Sequence, residues 1–365
     1  MANKIRLGII GAGGATWGSR AHFPALAHSA DFELIAVCTT KAESAEAARK
    51  KHGVKLAFHD FRQMVASPEI DAVAVVVRVP SHYDPTKAAL EAGKHVYTEW
   101  PLGRTTAEGV ELAALAKAKG VQTAVGLQSR VSPPLMYMKE QIESGALGEI
   151  TACRVSLMRD GVLERTASRT WQRDITLGAN TLTIANGHTI DALRFVAGNF
   201  KRLTCRITTQ VPQWYETDTK RYVNVTSPDN VLVSGQLASG AVASVHVAAI
   251  PWAGSGYRME IYGSKGTLVA TGEDSPQLCT VNLFGARGGN ELTPVEIPQR
   301  FIVAPPGTPP VAPYNVGQMY SEFARAIRGD RGQPSRQPTF DTAVNLHHFV
   351  DALRKASDTG REVEI

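Results

Sequence analysis

Residues 4–10 read as a strand that stops at Gly11, and positions 11–18 then place four glycines ahead of a stretch that reads as a helix. A strand that feeds a helix through a glycine-rich turn restricts the fold more than any other feature of this chain. Without Cβ atoms the turn can tighten. Its backbone N–H groups, with the helix N-terminus behind them, then suit the pyrophosphate of a dinucleotide. Gly11, Gly13, Gly14, Trp17 and Gly18 are the candidate contacts. Two extra residues stand before Gly18 compared with G-x-G-x-x-G, so the strand–turn–helix context carries the assignment, not the spacing alone.

The rest of the first third alternates in the same way. Segments 33–38, 72–77, 95–98 and 121–125 read as strands, and 19–29, 42–52, 81–92 and 105–119 as helices, with Pro24 disturbing the first of these. Run 72–77 is apolar throughout, as in a strand covered on both faces. Such alternation builds a doubly wound parallel sheet. Beyond Gly126 the pattern changes to helices at 133–144 and 180–196 and strands at 149–157, 202–209, 230–238, 241–247, 258–262 and 267–271. Ser239-Gly240 and Ser264-Lys265-Gly266 separate strands at hairpin spacing. A proline-rich loop at 305–313 precedes helices at 316–328 and 340–357. The expected fold is α/β plus α+β. Residues 1–126 form a Rossmann doubly wound parallel sheet, and residues 127–365 a C-terminal domain on a large, mainly antiparallel open sheet.

A chain of 365 residues with 43% hydrophobic content is long enough for two domains that each bury a core. Its formal charge of +5 mildly favours anionic ligands but does not point to nucleic acid. The densest basic cluster, Arg49, Lys50, Lys51 and Lys55, falls where cations complement a helix C-terminus. Cys38, Cys153, Cys205 and Cys279 are isolated, which fits a reducing cytoplasm better than a disulfide framework or a zinc site. No His/Cys/Asp/Glu cluster has metal spacing, so no metal is expected. No run of about 18 apolar residues or signal-like N-terminus is present, so no membrane partner is expected either.

The second strand ends in Cys38-Thr39-Thr40-Lys41. A site for NAD(H) usually places a carboxylate there to accept from the ribose 2′-hydroxyl. Thr39, Thr40 and Lys41 suit a 2′-phosphate instead, through charge-assisted hydrogen bonds. NADP(H) is the preferred cofactor on this reading, with NAD(H) possible.

The glycine turn is followed by RAHFPAL, and further segments read VVVRVPSHYDPTKAALEAGKHVYTEWPLG, VGLQSR, NGHTIDAL, IYGSKGTL and the C-terminal FDTAVNLHHFVDALRKASDTGREVEI. On these segments the chain resembles, over nearly its whole length, the Gfo/Idh/MocA oxidoreductase family. Within the family it is most similar to the subgroup of the fungal galactose-pathway repressor. The resemblance makes residues 127–365 a substrate-binding and oligomerisation domain and implies a homodimer or homotetramer. It puts Val79, Pro80 and His82 on the adenosine and ribose side of the cofactor, and Glu99 beside the nicotinamide ribose. It brings Gln128 and Arg130 near the nicotinamide or substrate, and makes His188 a proton donor or acceptor. Two positions depart from the pattern: Trp100 replaces the lysine of the family's Glu-Lys-Pro, and Ile184 replaces an aspartate four residues before His188.

Hydride transfer needs little from a protein beyond orientation and one proton relay, and histidine suits the relay near neutral pH. The expected activity is NAD(P)-dependent hydride transfer at a carbinol or carbonyl of a sugar, cyclitol or related hydroxylated metabolite. His188 is the catalytic residue, and Trp100, Arg130, Asp174 and His188 line the substrate. Asp191, three residues after His188, is read as a helix-packing group. Trp214, Tyr215, Trp252 and Tyr257 are placed in loops, where they would stack on a sugar or form an oligomer interface. Two alternatives remain open: a non-catalytic, cofactor-sensing regulator, and an enzyme that holds NAD(P) tightly for transient oxidation.

Overall fold

A computed structural model describes residues 3–14, 16–289, 291–330 and 336–365. The chain forms two compact units: one runs up to Val131 and adds Ile302–Asn345, the other combines Ser132–Phe301 with Leu346–Ile365. The break expected at Gly126 therefore falls at Val131, and Ile302–Asn345 moves from the second domain to the first. The reason lies in the helix Ala312–Ile327, whose Val316, Met319, Tyr320, Phe323 and Ala324 form one apolar stripe. That stripe shares a core with Leu7, Ile9, Phe32 and Tyr97.

The first unit holds six strands: β1 (Ile5–Ile10), β2 (Phe32–Cys38), β3 (Leu56–Phe58), β4 (Ala72–Val75), β5 (His95–Glu99) and β6 (Thr123–Gly126). Their order is β3-β2-β1-β4-β5-β6, and every pair is parallel. β4 is buried at every position, as a central strand with helices on both faces must be. The chain direction of the winding reverses between β1 and β4, which opens a crevice at the carboxyl ends of the strands. β3 and the helix Phe61–Ala66 escape the sequence pattern because each spans barely one period. The basic cluster does lie at a helix end: Arg49, Lys50 and Lys51 close Ala42–His52 ahead of the left-handed Gly53, and Lys55 pairs with Glu69.

The second unit is built on a nine-stranded sheet that runs, in spatial order, Thr293–Pro294, Asn282–Ala286, Gly266–Gly272, Gly256–Gly263, Ile150–Arg159, Val242–Ala249, Asn230–Leu237, Phe200–Thr208 and Val363–Glu364. Ile150–Arg159 and Val242–Ala249 pair in parallel, and the other neighbours are antiparallel. Both expected hairpins are present. In Asn230–Leu237, Val231 and Val233 are buried while Leu232 and Ser234 are exposed, so one face is covered. The helix Asn186–Ala197 packs against two of the strands.

Three of the four aromatics expected in loops lie in strands. Trp214 and Tyr215 belong to Gln213–Glu216, which pairs with Arg221–Asn224 and Glu164–Arg165 in a small separate sheet. Trp214 is buried beneath the Arg165 guanidinium, 3.9 Å from the ring centroid, and Tyr257 is buried in Gly256–Gly263. Trp252 does stand out, 75% exposed. No helix among the described residues is long and apolar enough to cross a membrane.

Two outcomes follow from this packing. A fragment ending at Val131 lacks the Tyr320/Phe323 stripe and leaves the apolar surface around Phe32 and Tyr97 open. It is expected to bind a hydrophobic dye and melt without a cooperative transition, whereas the full chain melts cooperatively. The second outcome concerns His347, 8% exposed on the helix Phe340–Thr359. Burial holds its ring down to a pKa of about 4, with Asp351 opposing and His348 and Arg354 reinforcing the shift. The fold thus favours neutral His347, so its contribution is whole above the ordinary value of about 6.5 and fades as pH falls toward 4. Urea melts of His347→Leu between pH 7 and 4.5 should show a shallower acid-side loss, by about 2 kcal/mol.

Candidate functional site

β1 ends at Gly11, whose φ is +109°. A Cβ added there would lie 2.1 Å from the Val76 carbonyl oxygen just past β4, so only glycine lets the two strand ends approach this closely. Gly11 and Ala12 donate their N–H groups to the Cys38 carbonyl at 3.0 and 3.4 Å, tying the turn to the end of β2. Gly14, at φ +64°, faces open space: an added Cβ would meet nothing within 4 Å. The two extra residues are absorbed by a wide helical turn, Gly18–His22, before the regular helix Phe23–Ala27. Trp17 is half-buried over this turn, and its indole N–H is buried with no hydrogen-bond partner.

The other cofactor candidates of the first unit also follow carboxyl ends of strands. After β2, Thr39 is half-buried and bonds to Ser44 Oγ (2.6 Å) and the Lys41 carbonyl (3.0 Å), while Thr40 and Lys41 are exposed. No carboxylate lies in this stretch; Glu43 enters only in the first turn of the next helix. After β4, Val79 and Pro80 sit on a single helical turn. His82 is 1% exposed, with Nδ1 at 2.7 Å from the Pro101 carbonyl and Nε2 at 3.0 Å from that of Val77. Burial lowers the pKa of this ring while the two carbonyls oppose the shift. Both carbonyls accept, so the neutral ring donates to one of them at a time, from its place between the turn after Trp100 and the chain just past β4.

Glu99 closes β5 and is the centre of a buried polar group. Its carboxylate accepts from Gln128 Nε2 at 3.1 and 3.0 Å and lies 2.9 Å from His22 Nε2. Gln128 Nε2 also reaches the Tyr97 hydroxyl at 3.3 Å, and His22 Nδ1 is 2.8 Å from the Tyr320 hydroxyl. Burial, with Glu99 nearby, pushes both tyrosines well above their ordinary range, so each stays a neutral phenol. A carboxylate only accepts, so it turns the Gln128 NH₂ inward. The amide oxygen is left buried without a hydrogen-bond partner. Gly126 pairs with Glu99 in the sheet, and a Cβ there would lie 2.3 Å from Glu99 Oε2. Trp100 is buried next to Glu99 in sequence, and Arg130 is half-buried on the turn Gln128–Val131.

Two candidates belong to the second unit. His188 is 5% exposed in the first turn of Asn186–Ala197, and Asp191, one turn on, is fully buried. Asp174 accepts from Thr176 N (2.9 Å) and Oγ1 (2.7 Å), capping the short turn Ile175–Leu177; these bonds lower its pKa. It shares a recess of about 350 Å³ with Trp171, Arg173, Glu216 and Arg221. Bonds from Thr170, Thr219 and Arg221 hold Glu216 down to a pKa of about 2. Among the described residues no group of three or more His, Cys, Asp and Glu could hold a metal ion.

His22, Gly126 and Tyr320 were missed as site residues. The first lies in the RAHFPAL segment and the second just before Gln128, so both carried a local signal. Tyr320 is 298 residues from its partner and carried none.

The glycine turn, the carboxylate and the amide all stand at carboxyl ends of parallel strands, and the turn leaves room for a ligand. Open space at Gly14, the orphaned Trp17 N–H and the Gln128 oxygen fit a dinucleotide. The first unit is therefore a dinucleotide-binding domain of the Rossmann class. Residues 5–127 match the oxidoreductase family model described as an NAD-binding Rossmann fold, and residues 135–269 match the GFO/IDH/MocA C-terminal domain. The chain belongs to the Gfo/Idh/MocA oxidoreductase family.

Three relatives illustrate the range of that family. Dehydrogenase aclE of Aspergillus oryzae is 33% identical, covering 66% of this chain and 69% of its own length. The galactose/lactose metabolism regulatory protein GAL80 of Kluyveromyces lactis is 29% identical over 66% of this chain and 57% of its own. Levoglucosan dehydrogenase of Pseudarthrobacter phenanthrenivorans is 29% identical over 64% of each. Among solved structures, a super-repressor mutant of Gal80p from Saccharomyces cerevisiae superposes with TM-score 0.88 at 22% identity, covering 100% of this chain and 98% of its own. A levoglucosan dehydrogenase in complex with NADH and L-sorbose gives 0.84 at 23%, covering 100% and 99%. At these identities the structures establish the fold.

The contact at Gly126 can be tested directly. Gly126→Ala must move the Glu99 carboxylate out of its place. Dinucleotide affinity is expected to fall at least about tenfold, with stability lowered by about 1–3 kcal/mol; titration and thermal melts measure the two effects.

Proposed function

We propose that this protein oxidises or reduces a carbinol or carbonyl of a sugar, cyclitol or related hydroxylated metabolite, with NADP(H) preferred over NAD(H). The observation that carries the reading is the convergence of the glycine turn, Thr39–Lys41 and the buried Glu99–Gln128 pair at the carboxyl ends of one parallel sheet. The relative named levoglucosan dehydrogenase supports a sugar-like substrate.

The glycine turn would hold the pyrophosphate, Thr40 and Lys41 the 2′-phosphate, and Glu99 and Gln128 the nicotinamide end. The bound nicotinamide supplies or accepts the hydride. Glu99 accepts hydrogen bonds and orients, and Gln128 presents its carbonyl oxygen as an acceptor. His188, matched to the family's histidine, takes the hydroxyl proton on oxidation and returns it on reduction. With Trp100 in place of the family's lysine, no second cation stands at that position to share the proton. Family likeness also favours a homodimer or homotetramer.

Trp100 and the likeness to Gal80 together favour one second reading, a dinucleotide-sensing regulator without turnover. A panel of sugars, cyclitols and small aldehydes, followed by nicotinamide absorbance, separates the two. Turnover that falls about 10²–10⁴-fold in His188→Ala, with cofactor binding kept, supports the enzyme. No turnover with any substrate despite tight cofactor binding supports the regulator. In the same assays NADPH should bind more tightly than NADH, and Lys41→Glu should weaken NADPH about tenfold while sparing NADH. Equal affinities in the parent protein would reject the preference.

A further inference from the structure

The structure assigns to His22, backed by Tyr320, the task of fixing the Glu99 carboxylate for the dinucleotide; both are positioning residues of the cofactor site. This rests on the reading of Glu99 as the group beside the nicotinamide ribose. Glu99 is 8% exposed and His22 is not exposed at all, so neither side chain can be oriented by solvent. The Gln128 amide donates to the carboxylate from one side and His22 Nε2 lies against it from another. The donors order themselves in one direction. The Glu99 carboxylate only accepts, so the proton of a neutral His22 ring belongs on Nε2, and Nδ1 then accepts from the Tyr320 O–H. Reversing the Tyr320 hydroxyl would put a lone pair of the imidazole against the carboxylate. The ring itself is packed edge-on by Tyr97 (5.3 Å), Tyr320 (5.7 Å) and Trp17 (6.4 Å).

The location of His22 gives this chain of bonds its reach. His22 ends the wide turn Gly18–His22 that begins with the last glycine of the phosphate turn. One rigid ring therefore sets the spacing between the glycine turn and the Glu99 carboxylate, the two places where the ends of a dinucleotide would be read. Tyr320 comes from the helix Ala312–Ile327, in the segment that returns to the first unit. That helix thereby contributes to the cofactor site through His22.

The test is a set of NADH and NADPH titrations followed by protein and nicotinamide fluorescence. Tyr320→Phe keeps the ring, stacked 5.3 Å from Tyr97, and removes only the donor. It is expected to weaken dinucleotide binding about five- to tenfold with the melting cooperativity retained, and His22→Ala to weaken it more. His22→Gln, which can still donate to Glu99, should recover part of the loss. The decisive comparison is Tyr320→Phe in a Glu99→Gln background, where its penalty should vanish because the group it positions has lost its charge. An undiminished penalty there, or unchanged affinity in Tyr320→Phe, overturns the assignment. If the parent protein binds neither dinucleotide, the reading of the site itself falls. If the parent binds and only the variants are silent, only this inference falls.

Discussion

The Val76 carbonyl occupies the space that any side chain at Gly11 would need. That single approach lets β1 and β4 end side by side at the point where the winding of the sheet reverses. The crevice opens there because the two strands, buried and mutually parallel, cannot both be followed by chain turning to the same side. Each polar group of the site hangs from this frame. The glycine turn leaves from β1, the His82 turn from β4, Glu99 from β5 and Gln128 from β6. A few tenths of an ångström at Gly11 would be passed to all of them, since cores at this packing density transmit displacement instead of absorbing it.

Around that frame lies a polar interior with little slack. A buried carboxylate must be matched by donors, and here they are the Gln128 amide and the His22 ring, whose other nitrogen faces the Tyr320 hydroxyl. The Gln128 amide has one possible orientation as a result. The acceptor it leaves unused is in keeping with a site completed by something other than the chain. Gly126 shows the same economy: a missing methyl group makes the volume in which the carboxylate lies.

Much of the fold could be read from the residues. The apolar run of β4, the glycines of the first turn and the two short hairpin turns each impose a local geometry that overrides context, so their elements occur as expected. Glu99 and Gln128 were accessible only through motif resemblance. Their chemistry depends on His22, Gly126 and Tyr320, and the first two carried only weak local signals. What was not legible was set by distant partners. Nothing near Tyr320 announces a histidine almost three hundred positions earlier, and the stripe on its helix would serve either unit equally well. Gln213–Glu216 is short and follows Pro212, so Trp214 carries little strand signal of its own, and its strand character comes from pairing with Arg221–Asn224. The capping role of Asp174 shows a different limit: an acid in a polar stretch looks alike whether it serves a ligand or its own backbone.

Because Ile302–Asn345 closes a domain that began with the first strand, the ribosome must pass through the whole of Ser132–Phe301 before that domain can acquire its last wall. The middle portion emerges in the interval, and it too waits for Leu346–Ile365 to supply an edge strand. Neither half can mature ahead of the other in the vectorial manner of beads on a string. A nascent chain of this design keeps the apolar surface of its first unit uncovered until that late segment has been made.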